Sequence, residues 1–132
     1  MKNIEAAKLL TQLEKEDFRI LQAIEIGMKR SEYVTITDIR FYSRYPIEET
    51  LYRLKKVHKV GLLIRDSSKY EVSYTLNSQA YDILALHTLV EKETVSQLGP
   101  LVGKGKESDV YSAIDDDENI YALKIYRIGR TS

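Results

Sequence analysis

Apolar residues recur at helical spacing through the first sixty positions, and the period changes to two after Gly61. Ile4, Ala7 and Leu10 form one set and Phe18, Leu21, Ile24 and Met28 another, the second starting from Asp17, which predicts two amphipathic helices. Tyr33-Val34 is extended in character. Thr35 stands three residues before Asp38, a capping-box spacing that starts a short helix carrying Ile36, Ile39 and Ser43. Pro46 suits a first helical position, Ile47, Leu51, Leu54 and Val57 follow at three- and four-residue steps, and Gly61 is a C-terminal stop, so a fourth helix spans about Pro46 to Val60. Beyond it, Leu62-Leu63-Ile64-Arg65, the turn-prone Asp66-Ser67-Ser68-Lys69 and the alternating Tyr70, Val72, Tyr74 and Leu76 predict a β-hairpin.

Helices followed by a hairpin in this order predict a winged helix-turn-helix over residues 1–76, with the Pro46–Val60 helix as the usual groove reader and the hairpin as the wing. Arg53, Lys55, Lys56 and Lys59 are expected largely outside that helix's apolar stripe, with Tyr52 among them and Arg65 and Lys69 on the wing. These cations could neutralise phosphates, and a basic face that merely keeps a helix soluble carries about equal weight. Glu48 and Glu49 at the helix start oppose base reading, so contact to a nucleic-acid backbone or to its shape is favoured over a sequence code. Asn77 caps a further helix to about Lys92, with Ala80, Ile83, Leu84, His87 and Val90 facing a core, and residues 77–94 read as a linker. His87 reads as a packed histidine with no recognisable acidic partner, and His58, amid lysines, as a solvated one.

Composition narrows the classes. The 132 residues are 43% apolar and 30% charged, which excludes disorder and allows a small domain with part of a second. The net charge is zero, but residues 35–76 carry eight basic and five acidic side chains and residues 77–132 six and nine, so the neutral total hides a basic middle and an acidic end. With no cysteine there is no disulfide, thiolate–metal site or cysteine nucleophile. Two distant histidines do not suggest a metal site. No apolar run approaches a membrane span and the N-terminus lacks a signal-peptide core, so the expectation is an intracellular, cytoplasmic chain without a membrane partner.

The chemistry lies after Val95. A strand-like run to Val102 leads into Gly103-Lys104-Gly105-Lys106-Glu107-Ser108-Asp109-Val110-Tyr111, which matches the protein-kinase pattern G-x-G-x-x-G-x-V at Gly103, Gly105 and Val110 with Ser108 at the third glycine. Two glycines alone are more often a hairpin turn. The continuation changes the balance: Val110–Ile114 predicts a second strand, Asp115–Asn119 a polar turn, and Ile120–Tyr126 a third strand. That strand contains Tyr121-Ala122-Leu123-Lys124, a conservative form of V-A-I-K with a buried-strand lysine.

The segment Gly105-Lys106-Glu107-Ser108-Asp109-Val110-Tyr111 resembles the signature loop of RIO-type atypical serine/threonine kinases, and the run from Leu123-Lys124-Ile125-Tyr126 to Ser132 is similar to their third strand and the residues after it. A winged helix ahead of that loop is similar to the second subfamily. The resemblance implies an α+β chain: a winged helix-turn-helix, a linker helix, and the first three antiparallel strands of a kinase small lobe over residues 95–132. It implies ATP and Mg2+ as cofactors and a role in small ribosomal subunit maturation, with the pre-ribosomal particle and its RNA as partners. It implies Lys124 as the phosphate-pairing catalytic lysine, and Gly103, Gly105, Lys106, Glu107, Ser108 and Val110 around the nucleotide. Arg53, Lys55, Lys56, Lys59 and Arg65 are the candidate nucleic-acid contacts.

A kinase also needs a helix glutamate, a catalytic aspartate with its asparagine, and a metal-binding aspartate, none of which has a counterpart here. The run Asp115–Glu118 reads as a hairpin tip. The chain is therefore expected to be an N-terminal fragment, inactive in phosphoryl transfer by itself, with its metal ligands elsewhere. A winged-helix transcriptional regulator and a protein-binding winged helix are the competing functions; the first has no reason to contain Tyr121–Lys124 after a glycine loop.

Overall fold

The computed structural model describes residues 5–91, 97–104, 108–114 and 117–126. In chain order the elements are α1 (Glu5–Gln12), α2 (Lys15–Gly27), β1 (Val34–Thr35), α3 (Ile36–Ser43), α4 (Ile47–Lys59), β2 (Leu63–Asp66), β3 (Ser73–Leu76), α5 (Ser78–Glu91), β4 (Gln97–Lys104), β5 (Ser108–Ile114) and β6 (Ile120–Tyr126). They divide into two compact units, one of Leu13–Tyr81 and one joining Met1–Gln12 to Asp82–Ser132. The expected segments 1–76, 77–94 and 95–132 are thus redrawn. Helix α1 packs on β4 rather than with the winged helix, and α5 starts in one unit and continues in the other.

In the unit Leu13–Tyr81, α2 supplies Phe18, Ile20, Leu21, Ala23 and Ile24 to a core that also holds Ile39 of α3, Leu54 and Val57 of α4, and Leu62, Leu63, Tyr74 and Leu76 of the wing. The punctuation operates as the residue types require. Thr35 caps α3, its side chain accepting from the Asp38 N–H at 3.2 Å. Pro46 is the N-cap of α4, one position earlier than its fixed φ suggested. Gly61 ends α4 at φ +90°, where a Cβ is strained. Asn77 then donates from Nδ2 to the Gly61 carbonyl at 2.7 Å and accepts from the Ala80 N–H at 3.0 Å, so one side chain caps α5 and ties the end of α4.

The wing departs from the expected alternation. Strand β3 lies between β1 and β2, antiparallel to both, with Val34 opposite Tyr74 and Leu63 opposite Leu76. All four of its residues are buried, as a central strand covered on both sides requires, while Tyr70 stands outside it and is exposed.

In the second unit β4, β5 and β6 form an antiparallel sheet in that order. Burial alternates along β5: Asp109, Tyr111 and Ala113 are buried, and Val110, Ser112 and Ile114 between them are half-buried. The Tyr111 hydroxyl donates to Oδ2 of the buried Asp82 of α5 at 3.2 Å. Among the described residues no helix is long and apolar enough to cross a membrane.

Candidate functional site

Antiparallel pairing puts Gly103 of β4 opposite Val110 of β5, and Val110 opposite Lys124 of β6. Residues paired across strands share a face of the sheet, so Gly103, Val110 and Lys124 form one transverse row. That row is on the face opposite buried Tyr111 and Ala113, and Ile120, Ala122 and Lys124, alternate residues of β6, are all exposed. A lysine on a regular strand is aimed by its backbone, and a glycine across from it leaves that end of the row open.

Two expectations need correction. Gly103 and Lys104 belong to β4 and Ser108 to β5, so the strands extend further into the expected loop and only positions 105–107 lie between them. Gly105, Lys106 and Glu107 fall outside the described residues. Lys124 is exposed, not a buried-strand lysine, because β6 pairs only with β5 in this sheet. Ser108 pairs with Tyr126, and the buried Asp109 with Ile125. The acidic run falls partly outside the described residues, and its described members Asp117 and Glu118 are exposed. No group of three or more His, Cys, Asp or Glu among the described residues could hold a metal ion.

The basic helix is divided. Lys55, Lys59 and Arg65 are exposed and make no ion pair among the described residues. Arg53 and Lys56 are otherwise engaged. Arg53 Nη1 donates to Glu14 Oε1 at 2.5 Å and to Asp17 Oδ1 at 3.2 Å, and its Nε donates to Glu49 Oε2 at 2.5 Å. Lys56 Nζ donates to Asp17 Oδ2 at 2.6 Å and Glu14 Oε1 at 3.1 Å. Asp17, with 0% of its surface exposed, also accepts the Glu14 N–H at 2.8 Å, which caps α2.

Burial alone would lower the pKa of Arg53, and its hydrogen bonds to Glu49, Glu14 and Asp17 outweigh that and raise it; the same opposition raises Lys56 through Asp17 and Glu14. Arg53 and Lys56 in turn hold the Glu14 carboxyl below the usual range. These five side chains bind α2 to α4, so Arg53 and Lys56 are not available to phosphates as the sequence suggested. The spacing did carry a signal: Glu49 and Arg53 are an i,i+4 pair, and Arg53 stands one turn before buried Val57. His87 is half-buried, in keeping with a packed histidine, but it has an acidic neighbour that was not expected. Burial lowers its pKa, and Glu91, an acidic neighbour one turn on, partly opposes this. His58 is exposed as expected, its ring 6.2 Å from that of Tyr74.

Comparison with known proteins agrees with both halves. The family described as "Rio2, N-terminal" matches residues 10–92. The serine/threonine-protein kinase rio2 of Dictyostelium discoideum is 40% identical over 125 residues, covering 95% of this chain and 24% of that protein. The crystal structure of the Rio2 kinase–ADP/Mg2+–phosphoaspartate complex from Chaetomium thermophilum superposes with a TM-score of 0.85 at 32% identity, over 96% of this chain and 38% of that one. MepR, a transcription regulator of Staphylococcus aureus, shares the winged-helix fold alone, with a TM-score of 0.55 at 15% identity. The chain spans between about a quarter and somewhat over a third of the length of the curated relatives it matches. A matched family across residues 10–92, and a described sheet whose glycine, valine and lysine align in one row, lead to one conclusion: the chain belongs to the Rio2 family and corresponds to its N-terminal part.

Proposed function

We propose that this chain is the docking and nucleotide-grasping part of an ATP-dependent serine/threonine kinase or ATPase that acts on the maturing small ribosomal subunit. The observation that carries the nucleotide half is the row Gly103–Val110–Lys124, the order in which a kinase small lobe presents backbone, base cover and lysine to ATP. The residues fit the nucleotide in three ways. Gly103, with Gly105, Lys106, Glu107 and Ser108 beyond it in sequence, allows the backbone close to the phosphates; Val110 covers the base; Lys124 neutralises phosphate charge and fixes its orientation. Bound ATP supplies the phosphoryl group. The described residues do not fit Mg2+.

Docking falls to Lys55, Lys59 and Arg65, which make backbone contacts to RNA without reading sequence. A winged-helix regulator draws support from the likeness to MepR, but it leaves the lysine row without a purpose. The test is Lys124→Ala in the full-length kinase: phosphoryl transfer is lost, whereas Lys104→Ala retains most of it. Full activity in the Lys124→Ala protein removes Lys124 from the phosphate site and with it the row that carries the nucleotide half.

A further inference from the structure

The winged-helix unit has a second cationic surface, on α2 and α3 rather than α4. Arg19 of α2 lies over the ring of Tyr45 with its guanidinium carbon 4.6 Å from the centroid. Tyr45 directly follows Arg44, the C-cap of α3, which is held at φ +63° in the left-handed region that an arginine rarely adopts. Arg40, one turn before Arg44, carries the carbonyl that accepts the Arg44 N–H at 2.8 Å. Between them Phe41 is 74% exposed, its ring 5.3 Å from that of Tyr42 in an edge-on arrangement. Arg19, Arg40 and Arg44 are all exposed and make no ion pair among the described residues.

We propose that Arg19, Arg40, Phe41, Arg44 and Tyr45 form a contact for unpaired RNA, in which Phe41 stacks on a splayed base and the guanidiniums hold flanking phosphates. Lysines along α4 suit the backbone of any nucleic acid, but an exposed phenyl ring gains from one only where a base offers a free face, and a paired, stacked base does not. Three guanidiniums with no carboxylate partner complement a polyanion better than an apolar protein groove. Unpaired bases persist in the loops and bulges of folded RNA, whereas DNA is ordinarily duplex, so the ligand is RNA. The inference rests on the RNA-docking half of the proposed function and is independent of the nucleotide half.

The experiment is fluorescence anisotropy of the 132-residue chain with a short labelled RNA lacking self-complementarity, the same RNA annealed to its complement, and the matching DNA strand. Phe41→Ala is expected to weaken the unpaired RNA roughly ten- to hundredfold and to leave the duplex unchanged, while Phe41→Tyr retains binding. Arg40→Gln with Arg44→Gln should lower the salt slope by about 1.4 on a single strand. Circular dichroism of each variant establishes that an exposed side chain has been removed without unfolding. Equal affinity of Phe41→Ala and the parent, or a preference for duplex or for the DNA strand, overturns the proposal. If Phe41→Ala is silent while Lys55→Gln, Lys59→Gln and Arg65→Gln weaken RNA, this surface fails and RNA docking through α4 stands. If the parent chain binds none of the three, both fail.

Discussion

Replacing Arg53 by methionine separates a structural role for this residue from a phosphate-binding one. Methionine keeps an apolar stem of similar length but removes the hydrogen bonds to Glu14, Asp17 and Glu49, leaving Asp17 fully buried with only Lys56 and the Glu14 N–H. Breaking a buried ion pair by removing one partner costs about 3–5 kcal/mol, and because Lys56 still faces Asp17 the lower bound, about 3 kcal/mol, is expected. In a domain of this size that corresponds to a fall in Tm of roughly 12–24 °C, read by circular dichroism on heating. Adding Asp17→Asn to Arg53→Met removes the stranded charge while keeping an acceptor for the Glu14 N–H, so the double variant should be more stable than the single one. A fall below roughly 4 °C, about 1 kcal/mol, would refute the reasoning, as would simple additivity of the two substitutions.

Four further outcomes rest on the same geometry. Lys55→Gln, Lys59→Gln and Arg65→Gln together should flatten the salt dependence of RNA binding by about 2 in slope and act alike on unrelated sequences; an unchanged slope assigns these residues to solubility alone. Tyr111→Phe deprives the buried Asp82 of a donor and should cost about 1–3 kcal/mol in urea denaturation, with no loss implying that another donor replaces it. A Cβ on Gly27 would lie 2.6 Å from Val34 Cγ1, so Gly27→Ala should destabilise by about 1–3 kcal/mol despite alanine's better helix propensity, and a rise in Tm would mean that Val34 yields. Glu14 and His87 both titrate lower in the folded chain, so each adds stability above its unfolded pKa that is lost as pH falls through the folded value. Tm should therefore decline first below about pH 6.5 and again below about 4.5, and His87→Gln should remove the first decline while Glu14→Gln only lessens the second, to which Asp66 and Glu71 also contribute.

Much of the fold could be read from the chain because its punctuation acts locally. Thr35, Gly61 and Asn77 each satisfy backbone groups within a few residues, so spacing alone locates α3, the end of α4 and the start of α5. The three strands were legible for a related reason, as short apolar runs separated by polar turns, but the register that sets Gly103, Val110 and Lys124 in one row was not, since β4 shifts register twice along β5. The misreadings lie where a distant partner decides. Arg53 was placed outside the apolar stripe of its helix and Asp17 only at a helix start, and it is their meeting across 36 positions that buries both. Tyr70 failed in the opposite sense, since alternation near a hairpin tip says nothing about whether a third strand covers it. The association of α1 with β4 crosses some ninety positions and leaves no local mark.

The pairing of charges between α2 and α4 changes what charge counting means for function. The unit Leu13–Tyr81 has twelve basic and ten acidic side chains, a margin too small to argue for a polyanion. Setting aside the three carboxylates and two cations that satisfy one another between α2 and α4 leaves ten against seven. Glu71 is further engaged, accepting from the Thr37 N–H at 2.9 Å and its hydroxyl at 2.7 Å, and Asp66 accepts from the Ser68 N–H at 2.9 Å and its hydroxyl at 2.6 Å. The cations left at the surface include Lys55, Lys59 and Arg65 on the helix and wing, Arg19 over the half-buried Tyr45 ring, and Arg40 and Arg44 near the exposed Phe41 in sequence. A surface is read by a ligand through the charges it can reach, so a chain that is neutral in total can present a cationic docking unit, and the internal pairing of Asp17, Arg53 and Lys56 holds the helix that displays it.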